Sequence, residues 1–414
     1  MHFLQILSIL IAGLFFLCYS YQFLYIPAAF RRRKTQAAPT RLHKFAVLIC
    51  ARNESAVIAD LIDSLKNQTY PASLTEVFVL ADNCTDHTAG IARRHGATVY
   101  ERFNQTRVGK GYALQELLEH IRQDRPTGFD GYFVFDADNV LSPDYIERMN
   151  ETFSEGYQVV TSYRNSKNYG DNWISAGYAL WFLRESQYLN RARMKLSTSC
   201  AVGGTGFLFS RETLEKQGGW PFFLLTEDIE FTVYQVLQGV TIGYCEKAEL
   251  FDEQPTDFRQ SWRQRTRWTK GYLQVFGRYG KELLKGISKG HFAAFDMAMN
   301  IMPAFFLSAA GLFVELTALV LSILNGGGLT DVAVSILEIF GSMCSLLFIL
   351  GGITTISEWK RIRATTWEKI WAVFTFPLFM ATYLPISLCA VFAKAEWKPI
   401  EHKVSAKRLT RPAA

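Results

Sequence analysis

Long runs of apolar side chains lie near both ends of the chain, and shorter apolar runs alternate with polar residues between them. The first run covers residues 1–30, which include no Asp, Glu, Lys or Arg, and later runs cover 297–324, 332–356 and 370–393. Each is long enough, at ~1.5 Å rise per residue, to cross a ~30 Å hydrocarbon core. The pattern predicts transmembrane helices in the first three runs and a transmembrane or broken, re-entrant segment in the fourth.

The basic residues that flank these runs predict the orientation in the membrane. Arginine and lysine occupy 31–34, directly after the first run, and such residues stay on the cytoplasmic side of a span. The middle of the chain is therefore expected in the cytoplasm, as part of a multi-pass integral membrane protein. The fourth run contains Pro377 and Pro385 and precedes a basic tail at 394–414. Two paths are open for the fourth run: a re-entrant path, which keeps this tail cytoplasmic, and one straight crossing of the membrane.

Two features of the apolar runs allow alternatives. A cleaved signal peptide fits the first run poorly, because such peptides have a basic start and a shorter apolar core. Glu315 and Glu338 lie inside the predicted spans, where carboxylates are expensive and face protein or a water-filled cavity. Two interpretations remain for these residues: they line a conduit, or they pack near a helix end.

The middle of the chain alternates short apolar runs with helical patterns. Residues 45–51 form a continuous apolar run, and apolar positions from 57 to 65 then fall on one face of a helix. Further apolar runs at 77–80, 98–100 and 132–135 are separated by helical patterns. Strands that alternate with helices predict the α/β class, with a mainly parallel sheet covered on both faces.

Polar groups follow three of these predicted strands, at 52–54, 82–83 and 136–138. In parallel sheets ligands bind outside the carboxyl ends of the strands, so these groups are expected to converge on one edge. No Gly-x-Gly-x-x-Gly follows the first strand and no phosphate-binding Gly-Lys-Ser/Thr loop occurs, which removes the main support for dinucleotide and ATPase functions. The Gly-rich segment 203–206 is weak evidence for either function.

Asp136 and Asp138 stand two residues apart at a predicted strand end. Two such carboxylates can share Mg²⁺ or Mn²⁺, which complete their coordination shells with substrate phosphates. Lys110, between two glycines before a predicted helix, can reach a diphosphate as a point charge. A solvated lysine at a helix start is the alternative for Lys110.

Composition and charge narrow the class of protein. The chain has 414 residues, 49% of them hydrophobic, 29 Gly, 7 Cys and a net charge of +6. These values exclude collagen-like, disulfide-scaffold and disordered proteins, and the apolar runs exclude a purely soluble enzyme. No Cys-x-x-Cys pair occurs, so neither a zinc site nor a disulfide framework is indicated.

The polar motifs together resemble those of glycosyltransferase family 2, in its membrane-embedded, polysaccharide-synthase-like branch. The closest likeness is to bacterial exopolysaccharide transferases, among relatives of cellulose, chitin and hyaluronan synthases. Six motifs stand in the family's order over about half of the chain. They are Ala-Arg-Asn-Glu at 51–54, Ala-Asp-Asn-Cys-Thr-Asp at 81–86, Gly-Lys-Gly at 109–111, Asp-Ala-Asp at 136–138, Thr-Glu-Asp at 226–228 and Gln-Arg-Thr-Arg-Trp at 264–268. The second motif departs from the family's pattern, because Ala81 replaces its first acid.

The resemblance implies a GT-A type nucleotide-sugar-binding domain at 31–257, on the cytoplasmic side. It implies Asp228 as the general base of an inverting transfer, a role for which a carboxylate in a partly closed cleft is suited. A helix N-cap followed by first-turn acids also explains the Thr-Glu-Asp motif. The implied donor-binding residues are Glu54, Asp82, Lys110, Asp136 and Arg267, and the implied ligands of Mg²⁺ or Mn²⁺ are Asp136 and Asp138.

The segment 258–290 is expected to form amphipathic helices at the membrane interface, because it mixes basic and aromatic residues. Gln264, Arg267 and Trp268 fall on one helical face. The resemblance implies that Trp268 stacks on the acceptor sugar, with Glu227 and Gln264 beside it. Interleaved bases and aromatics also occur in single-strand nucleic-acid binding, which the motif order argues against.

The predicted function is transfer of a sugar from a nucleotide-sugar donor, with UDP expected as the nucleotide, onto a growing cell-surface or extracellular glycan. One alternative is a non-processive, anchored transferase that adds one sugar to a lipid-linked acceptor; three or four spans are few for a polymer conduit unless a partner subunit or an oligomer completes it. A transporter or receptor that only binds a nucleotide is an alternative of another class. Trp397 and His402 resemble a Trp-containing segment near the cytoplasmic mouth of related synthases.

Overall fold

The computed structural model describes residues 2–31, 40–324, 329–394 and 402. The chain forms eight β-strands and sixteen α-helices within these ranges, with a 3₁₀ turn at Ala72–Leu74 and a π-helical turn at Glu185–Asn190. The strands are β1 (Phe45–Ala51), β2 (Thr75–Asp82), β3 (Thr98–Arg102), β4 (Gly131–Asp136), β5 (Val140–Leu141), β6 (Val159–Ser166), β7 (Phe207–Ser210) and β8 (Ile242–Asp252).

The helices fall into three groups along the chain. The N-terminal helices are α1 (His2–Tyr19) and α2 (Tyr21–Ala29). The helices that accompany the sheet are α3 (Ile58–Lys66), α4 (Thr88–Arg94), α5 (Lys110–Asp124), α6 (Tyr145–Ser154), α7 (Trp173–Arg184), α8 (Arg191–Lys195), α9 (Arg211–Lys216) and α10 (Glu227–Leu237). The C-terminal helices are α11 (Phe258–Ser288), α12 (Phe292–Ile301), α13 (Pro303–Leu324), α14 (Leu329–Ser357), α15 (Thr366–Ala381) and α16 (Tyr383–Phe392).

The eight strands form one mixed sheet in the order β3-β2-β1-β4-β7-β6-β8-β5. The first four strands in this order are parallel, as are β6 and β8. Strand β7 runs antiparallel to both β4 and β6, and β5 runs antiparallel to β8. The α/β class and the parallel strands predicted from the sequence are confirmed, and the antiparallel β7 at the centre of the sheet is an addition to that prediction.

Both faces of the sheet are buried, which explains why its central strands are continuous apolar runs. In β1, Ala46 and Leu48 point into one hydrophobic cluster, while Phe45, Val47 and Ile49 point into the other, and all five are fully buried. Helix α5 covers the first face and helices α3 and α6 cover the second. The polar residues after each strand are thereby left at the sheet's edge.

Four apolar stretches are long enough to cross a membrane within the part of the chain that the structure describes. They are Phe3–Ala29, Phe306–Leu324, Phe340–Ser357 and Thr366–Phe392. The apolar run predicted at 297–324 divides before Pro303, where α13 begins, because proline lacks the N–H that a helix interior needs but suits a first turn. The predicted interfacial segment 258–290 is one long helix, α11, followed by α12.

The N-terminal helices are tied to the C-terminal ones by buried polar contacts. The Ser8 hydroxyl donates to Glu315 Oε1 at 2.6 Å, so this carboxylate packs against α1 rather than lying unpartnered in a span. Glu338 lies on α14, and its side chain is outside what the structure describes. Asp296 of α12 pairs with Arg193 of α8 at 2.7 Å, and both side chains are buried. All seven cysteines are free, as their spacing predicts.

Candidate active site

The ends of β1 and β2 carry two asparagines in the left-handed backbone region. Asn53 has φ 58° and Asn83 has φ 53°, a conformation that asparagine tolerates better than most residues because its side chain bonds locally. Asn53 Oδ1 accepts a hydrogen bond from the Thr85 amide at 2.8 Å, and Asn83 Oδ1 accepts one from the Asn104 amide at 2.9 Å. These bonds turn the chain sharply at the sheet edge, where Glu54 and Asp82 lie.

Asp82 is held by a buried ion pair. Arg102 Nη1 lies 2.7 Å from Asp82 Oδ1, and the same guanidinium bonds Glu116 at 2.7 Å. Burial raises the pKa of Asp82, and the Arg102 charge opposes that rise. The structure therefore brings Asp82 to the edge with one carboxylate oxygen engaged by Arg102.

Glu54 meets a residue from the far end of the chain. The Nδ1 atom of His402 lies 2.9 and 3.1 Å from the two Glu54 carboxylate oxygens. Burial disfavours the charged imidazole, but Asp138, Glu54 and Glu253 raise the pKa of His402 to about 10. His402 is therefore a cation in this cluster of acids. Trp397, which the sequence paired with it, lies outside the described residues.

Lys110 links the end of β4 to the Gly-rich segment. Its ammonium makes a short ion pair with Asp136 and donates to the Gly204 carbonyl at 2.8 Å. The Asp136 amide in turn donates to Thr205 Oγ1 at 2.9 Å. Burial opposes the charged ammonium, but Asp136 and Glu227 raise the pKa of Lys110. Lys110 is thus a cation fixed at the site by an ion pair and a hydrogen bond, and it is not a solvated lysine at a helix start.

Asp138 is buried beside Asp136. Its Oδ2 atom accepts a hydrogen bond from the Glu253 amide at 2.7 Å. Burial would raise the pKa of Asp138, but the charges of His402, Lys167 and Arg164 lower it. Asp138 is therefore an ionised carboxylate in a mostly closed environment.

The donor set around Asp136 and Asp138 suits an oxygen-preferring cation only in part. No group of three or more His, Cys, Asp or Glu side chains arranged to hold a metal ion occurs among the described residues. Mg²⁺ and Mn²⁺ are nevertheless commonly bound by one or two carboxylates together with substrate phosphates. Asp136 and Asp138 fit that arrangement, in which a diphosphate supplies the remaining ligands.

Glu227 and Asp228 begin α10 as first-turn acids. The Thr226 side chain makes no capping bond, and its buried hydroxyl has no hydrogen-bond partner among the residues that the structure describes. Burial and the charge of Asp228 raise the pKa of Glu227 to about 7, while Lys110 opposes the rise. Burial also raises the pKa of Asp228. A methyl group added to Gly204 would lie 3.5 Å from Asp228 Oδ2, so Asp228 faces the segment that Lys110 binds.

One face of α11 carries Gln264, Arg267 and Trp268. Arg267 Nη1 donates to the Leu225 carbonyl at 3.1 Å, just before the Thr-Glu-Asp motif. The ring of Trp268 packs edge-on against Tyr178 at 5.7 Å and against Phe182 at 6.1 Å between centroids. Gln264 Oε1 is buried and has no hydrogen-bond partner in the described structure.

Sequence reasoning missed several residues that complete this cluster. Arg164, at the end of β6, pairs with Asp252 at the end of β8 and donates to the Gly203 carbonyl at 2.8 Å. Thr205, in the segment dismissed as weak evidence, supports Asp136. Both strands end in polar residues after apolar runs, which is the signal that identified Asp82 and Asp136.

A family model described as glycosyltransferase-like family 2 matches residues 43–271, more than half of the chain. Among curated relatives, β-monoglucosyldiacylglycerol synthase of a Nostoc species is 28% identical over 64% of this chain and 57% of its own length. Poly-β-1,6-N-acetyl-D-glucosamine synthase of Staphylococcus epidermidis is 27% identical over 56% of this chain and 55% of its own length. This chain thus spans a little over half the length of these relatives.

The fold is similar to that of a solved mannosyltransferase, PcManGT from Pyrobaculum calidifontis, in complex with GDP-Man and Mn²⁺. The two align with a TM-score of 0.62 at 16% identity, over 95% of this chain and 100% of the other. This likeness shows that the fold is of the GT-A type. With its motifs at the carboxyl edge of that sheet, the chain belongs to glycosyltransferase family 2.

Proposed function

We propose that the protein is an inverting transferase that moves a sugar from a nucleotide-sugar donor onto a growing glycan at the membrane. The observation that carries this proposal is the position of the Lys110 ammonium. It bonds both Asp136 and the carbonyl of Gly204, whose backbone faces Asp228. A cation between the acid at the end of β4 and the acids that begin α10 suits a diphosphate beside a reacting hydroxyl.

On the donor side, Glu54 and Asp82 bind the nucleoside, and Lys110, Arg267 and Asp136 contact the diphosphate. Lys110 and Arg267 supply positive charge, and the charge of each acts on Asp228 and Glu227. Asp136 and Asp138 hold Mg²⁺ or Mn²⁺, which stabilises the negative charge on the departing diphosphate. A UDP-sugar is the proposed donor.

Asp228 is the proposed general base. As the acceptor hydroxyl oxygen forms its bond to the anomeric carbon, Asp228 takes the hydroxyl proton. The bond from that carbon to the diphosphate breaks on the opposite side, and the diphosphate keeps the electron pair. Burial raises the pKa of Asp228, which makes it a stronger base than a solvated aspartate.

Trp268, Gln264 and Glu227 are the proposed acceptor contacts. The indole of Trp268 is partly buried and lies on the side of α11 that carries Arg267. An aromatic face suits the apolar face of a sugar ring, and the unpartnered Gln264 oxygen is free to accept a hydroxyl hydrogen bond.

A lipid acceptor is the second candidate, because a relative with 28% identity is named a β-monoglucosyldiacylglycerol synthase. With a lipid acceptor, the membrane segments of the present protein would anchor the enzyme rather than guide a polymer. A poly-N-acetylglucosamine synthase is similar at 27% identity and supports the first candidate. In both, we propose that the catalytic domain at 31–257 and the tail at 394–414 lie in the cytoplasm, where basic residues flank the first and last spans.

The test is a transfer assay with purified protein in lipid vesicles. A panel of radiolabelled nucleotide sugars is supplied with Mn²⁺ or Mg²⁺, and products are separated by size. We expect high-molecular-weight product with one donor and its loss when EDTA removes the metal. A single-sugar lipid product would instead support the second candidate, and undiminished transfer in EDTA would contradict the metal assignment.

A further inference from the structure

The entry loop, residues 222–225, leads into helix α10 and is held by one buried carboxylate. Glu230 of α10 is fully buried, and its Oε2 atom accepts hydrogen bonds from the Phe223 and Leu224 amides, each at 2.9 Å. Its Oε1 atom accepts a hydrogen bond from Arg278 Nη1 of α11, also at 2.9 Å. Both carboxylate oxygens of Glu230 are therefore engaged, one by the loop and one by the neighbouring helix.

The entry into α10 is fixed by Glu230 rather than by a helix cap. The residue just before a helix usually bonds the free amides of its first turn. Thr226 stands at that position and makes no capping bond within the described part of the chain. Glu230, one turn into the helix, instead bonds the amides of the loop that precedes it. The position of Asp228, in the first turn, therefore depends on how Glu230 holds the entry loop.

At its start, the entry loop packs against α5 directly beside Lys110. A methyl group added to Gly111 would lie 1.9 Å from the Phe222 carbonyl oxygen, so the two backbones approach this closely only because residue 111 is glycine. The ring of Tyr112 stacks on that of Phe223, with 4.5 Å between the centroids. The loop therefore sets the distance between the start of α5 and the start of α10.

At its end, the entry loop is bonded to α11. The Leu225 amide donates to Gln274 Oε1 at 3.2 Å, and the Leu225 carbonyl accepts from Arg267 Nη1 at 3.1 Å. The loop thus connects α10 to both of the helices that carry a cation of the site.

We propose that Glu230 is a positioning residue, which holds the Asp228 carboxylate at the distance from the donor diphosphate that transfer requires. In this arrangement Glu230 touches no reacting atom and acts through the entry loop. The inference rests on the proposed function, in which Asp228 is the base and Lys110 and Arg267 contact the diphosphate. A displacement of about 1 Å in a reacting group can lower the rate roughly 100-fold.

Loss of the Glu230 charge should change the rate of transfer more than the binding of the donor. Lys110 is held separately by its ion pair with Asp136 and its hydrogen bond to the Gly204 carbonyl. Those contacts do not involve the entry loop, so the donor should still bind when the loop moves. A positioning role therefore separates the transfer rate from the donor affinity.

The experiment compares the wild type with Glu230→Gln, Gln274→Leu and the double variant. Glu230→Gln keeps the side chain's shape but has one acceptor oxygen instead of two, and Gln274→Leu releases the loop from α11 without changing Glu230. Glu358→Gln is the matched control, because Glu358 is also a buried carboxylate and accepts a hydrogen bond from the Tyr163 hydroxyl, away from the loop.

Transfer is measured in lipid vesicles with Mn²⁺ and either UDP-glucose or UDP-N-acetylglucosamine. The acceptors are diacylglycerol in the vesicles and a soluble N-acetylglucosamine oligosaccharide. A binding titration gives the donor Kd and the number of donor sites in each preparation. The kcat is expressed per donor site, so that unfolded protein does not lower it.

We expect Glu230→Gln to lower kcat about 10- to 100-fold and Gln274→Leu to lower it about fivefold, with the donor Kd of both within about threefold of the wild type. The double variant should lose little more than Glu230→Gln does, because both changes act through one loop. Glu358→Gln should keep kcat within about twofold of the wild type.

An unchanged kcat in Glu230→Gln, a parallel rise of its donor Kd, or an equal loss in Glu358→Gln would overturn the inference while the proposed function stands. Effects of the two single changes that multiply in the double variant would overturn it as well. If Glu230→Gln binds no donor, Gln274→Leu decides alone: a wild-type kcat overturns the inference, and a lower kcat with an unchanged donor Kd supports it. A wild type that transfers no sugar from either donor would contradict the proposed function itself.

Discussion

At the scale of single residues, the site depends on acids whose protonation is set by their neighbours. Glu227 is buried and Asp228 beside it is partly buried, and burial together with the charge of Asp228 disfavours ionisation of Glu227. Glu227 therefore takes up a proton as the pH falls through about 7, its own pKa. Burial raises the pKa of Asp228, which must be ionised to accept a proton, so transfer is lost when Asp228 itself takes up a proton in acid.

We predict that the transfer rate falls in acid at a higher pH than a solvated aspartate would give, because burial raises the pKa of Asp228, and that Glu227→Gln moves this fall to lower pH. The substitution removes a negative charge beside Asp228, so the pKa of Asp228 falls and the base stays ionised in more acidic solution. Rate profiles at saturating donor measure the midpoint in both proteins. A midpoint that stays in place or rises would argue against this coupling.

The sequence singled out the acids at the strand ends of the candidate site but not their ion-pair partners. The carboxyl ends of β1, β2 and β4 were recognisable because each follows a fully buried apolar run. The structure, and not the sequence, showed that Arg102 forms an ion pair with Asp82. The same holds for the ion pair between Asp252 and Arg164. Ion pairs between residues far apart in the chain leave no local pattern to read.

At the scale of elements, α11 connects the active site to the last membrane segment. Arg265 is fully buried and donates to Thr382 Oγ1 at 2.7 Å, where α15 ends and α16 begins. Its guanidinium also lies 4.6 Å from the Phe379 ring. In the Gln-Arg-Thr-Arg-Trp motif, Arg265 therefore packs against the membrane segment, while Arg267 bonds to Leu225 just before the Thr-Glu-Asp motif.

We predict that Arg265→Ala lowers stability by about 3 kcal/mol, because it removes hydrogen bonds from a charged group and a cation–π contact. Arg259→Ala, at an exposed position on the same helix, should change stability by less than about 0.5 kcal/mol. Unfolding midpoints in detergent compare the two variants. Equal midpoints for both would show that the contact with Thr382 does not stabilise the protein.

Regular elements were easier to predict than irregular ones. Strand β1 has the predicted bounds because its apolar run is buried on both sides. Strand β7 has only four residues, and nothing in so short a run specifies its antiparallel direction. The π-helical turn at Glu185 was also missed, since its backbone pattern depends on bonds to β6 and to Ala201.

At the scale of the whole molecule, one buried ion pair joins the N-terminal helix α2 to α8 and to α12. Asp296 of α12 accepts hydrogen bonds from Tyr21 at 2.7 Å, Tyr25 at 2.8 Å and Arg193 at 2.7 Å. The apolar runs predicted four membrane segments, and their composition carried no information about this junction.

We predict that Asp296→Ala destabilises the protein by about 3–5 kcal/mol, because it leaves the buried Arg193 cation without a counter-charge. Glu119→Ala breaks an exposed pair with Arg122, which solvent screens, and should leave the unfolding midpoint nearly unchanged. Thermal unfolding followed by tryptophan fluorescence reports both. A small effect of Asp296→Ala would mean that the N-terminal helix is held mainly by its apolar contacts.

The assignment of Asp228 as general base is the central claim, and the Asp228→Asn variant tests it most directly. Asparagine keeps the side chain's size but cannot take the acceptor's proton. Transfer rate and donor affinity are measured on the same vesicle preparation, with the donor that the wild type uses. We expect the rate to fall by about 10²- to 10⁴-fold while the donor Kd stays within about twofold. Comparable transfer rates in the two proteins would contradict the account.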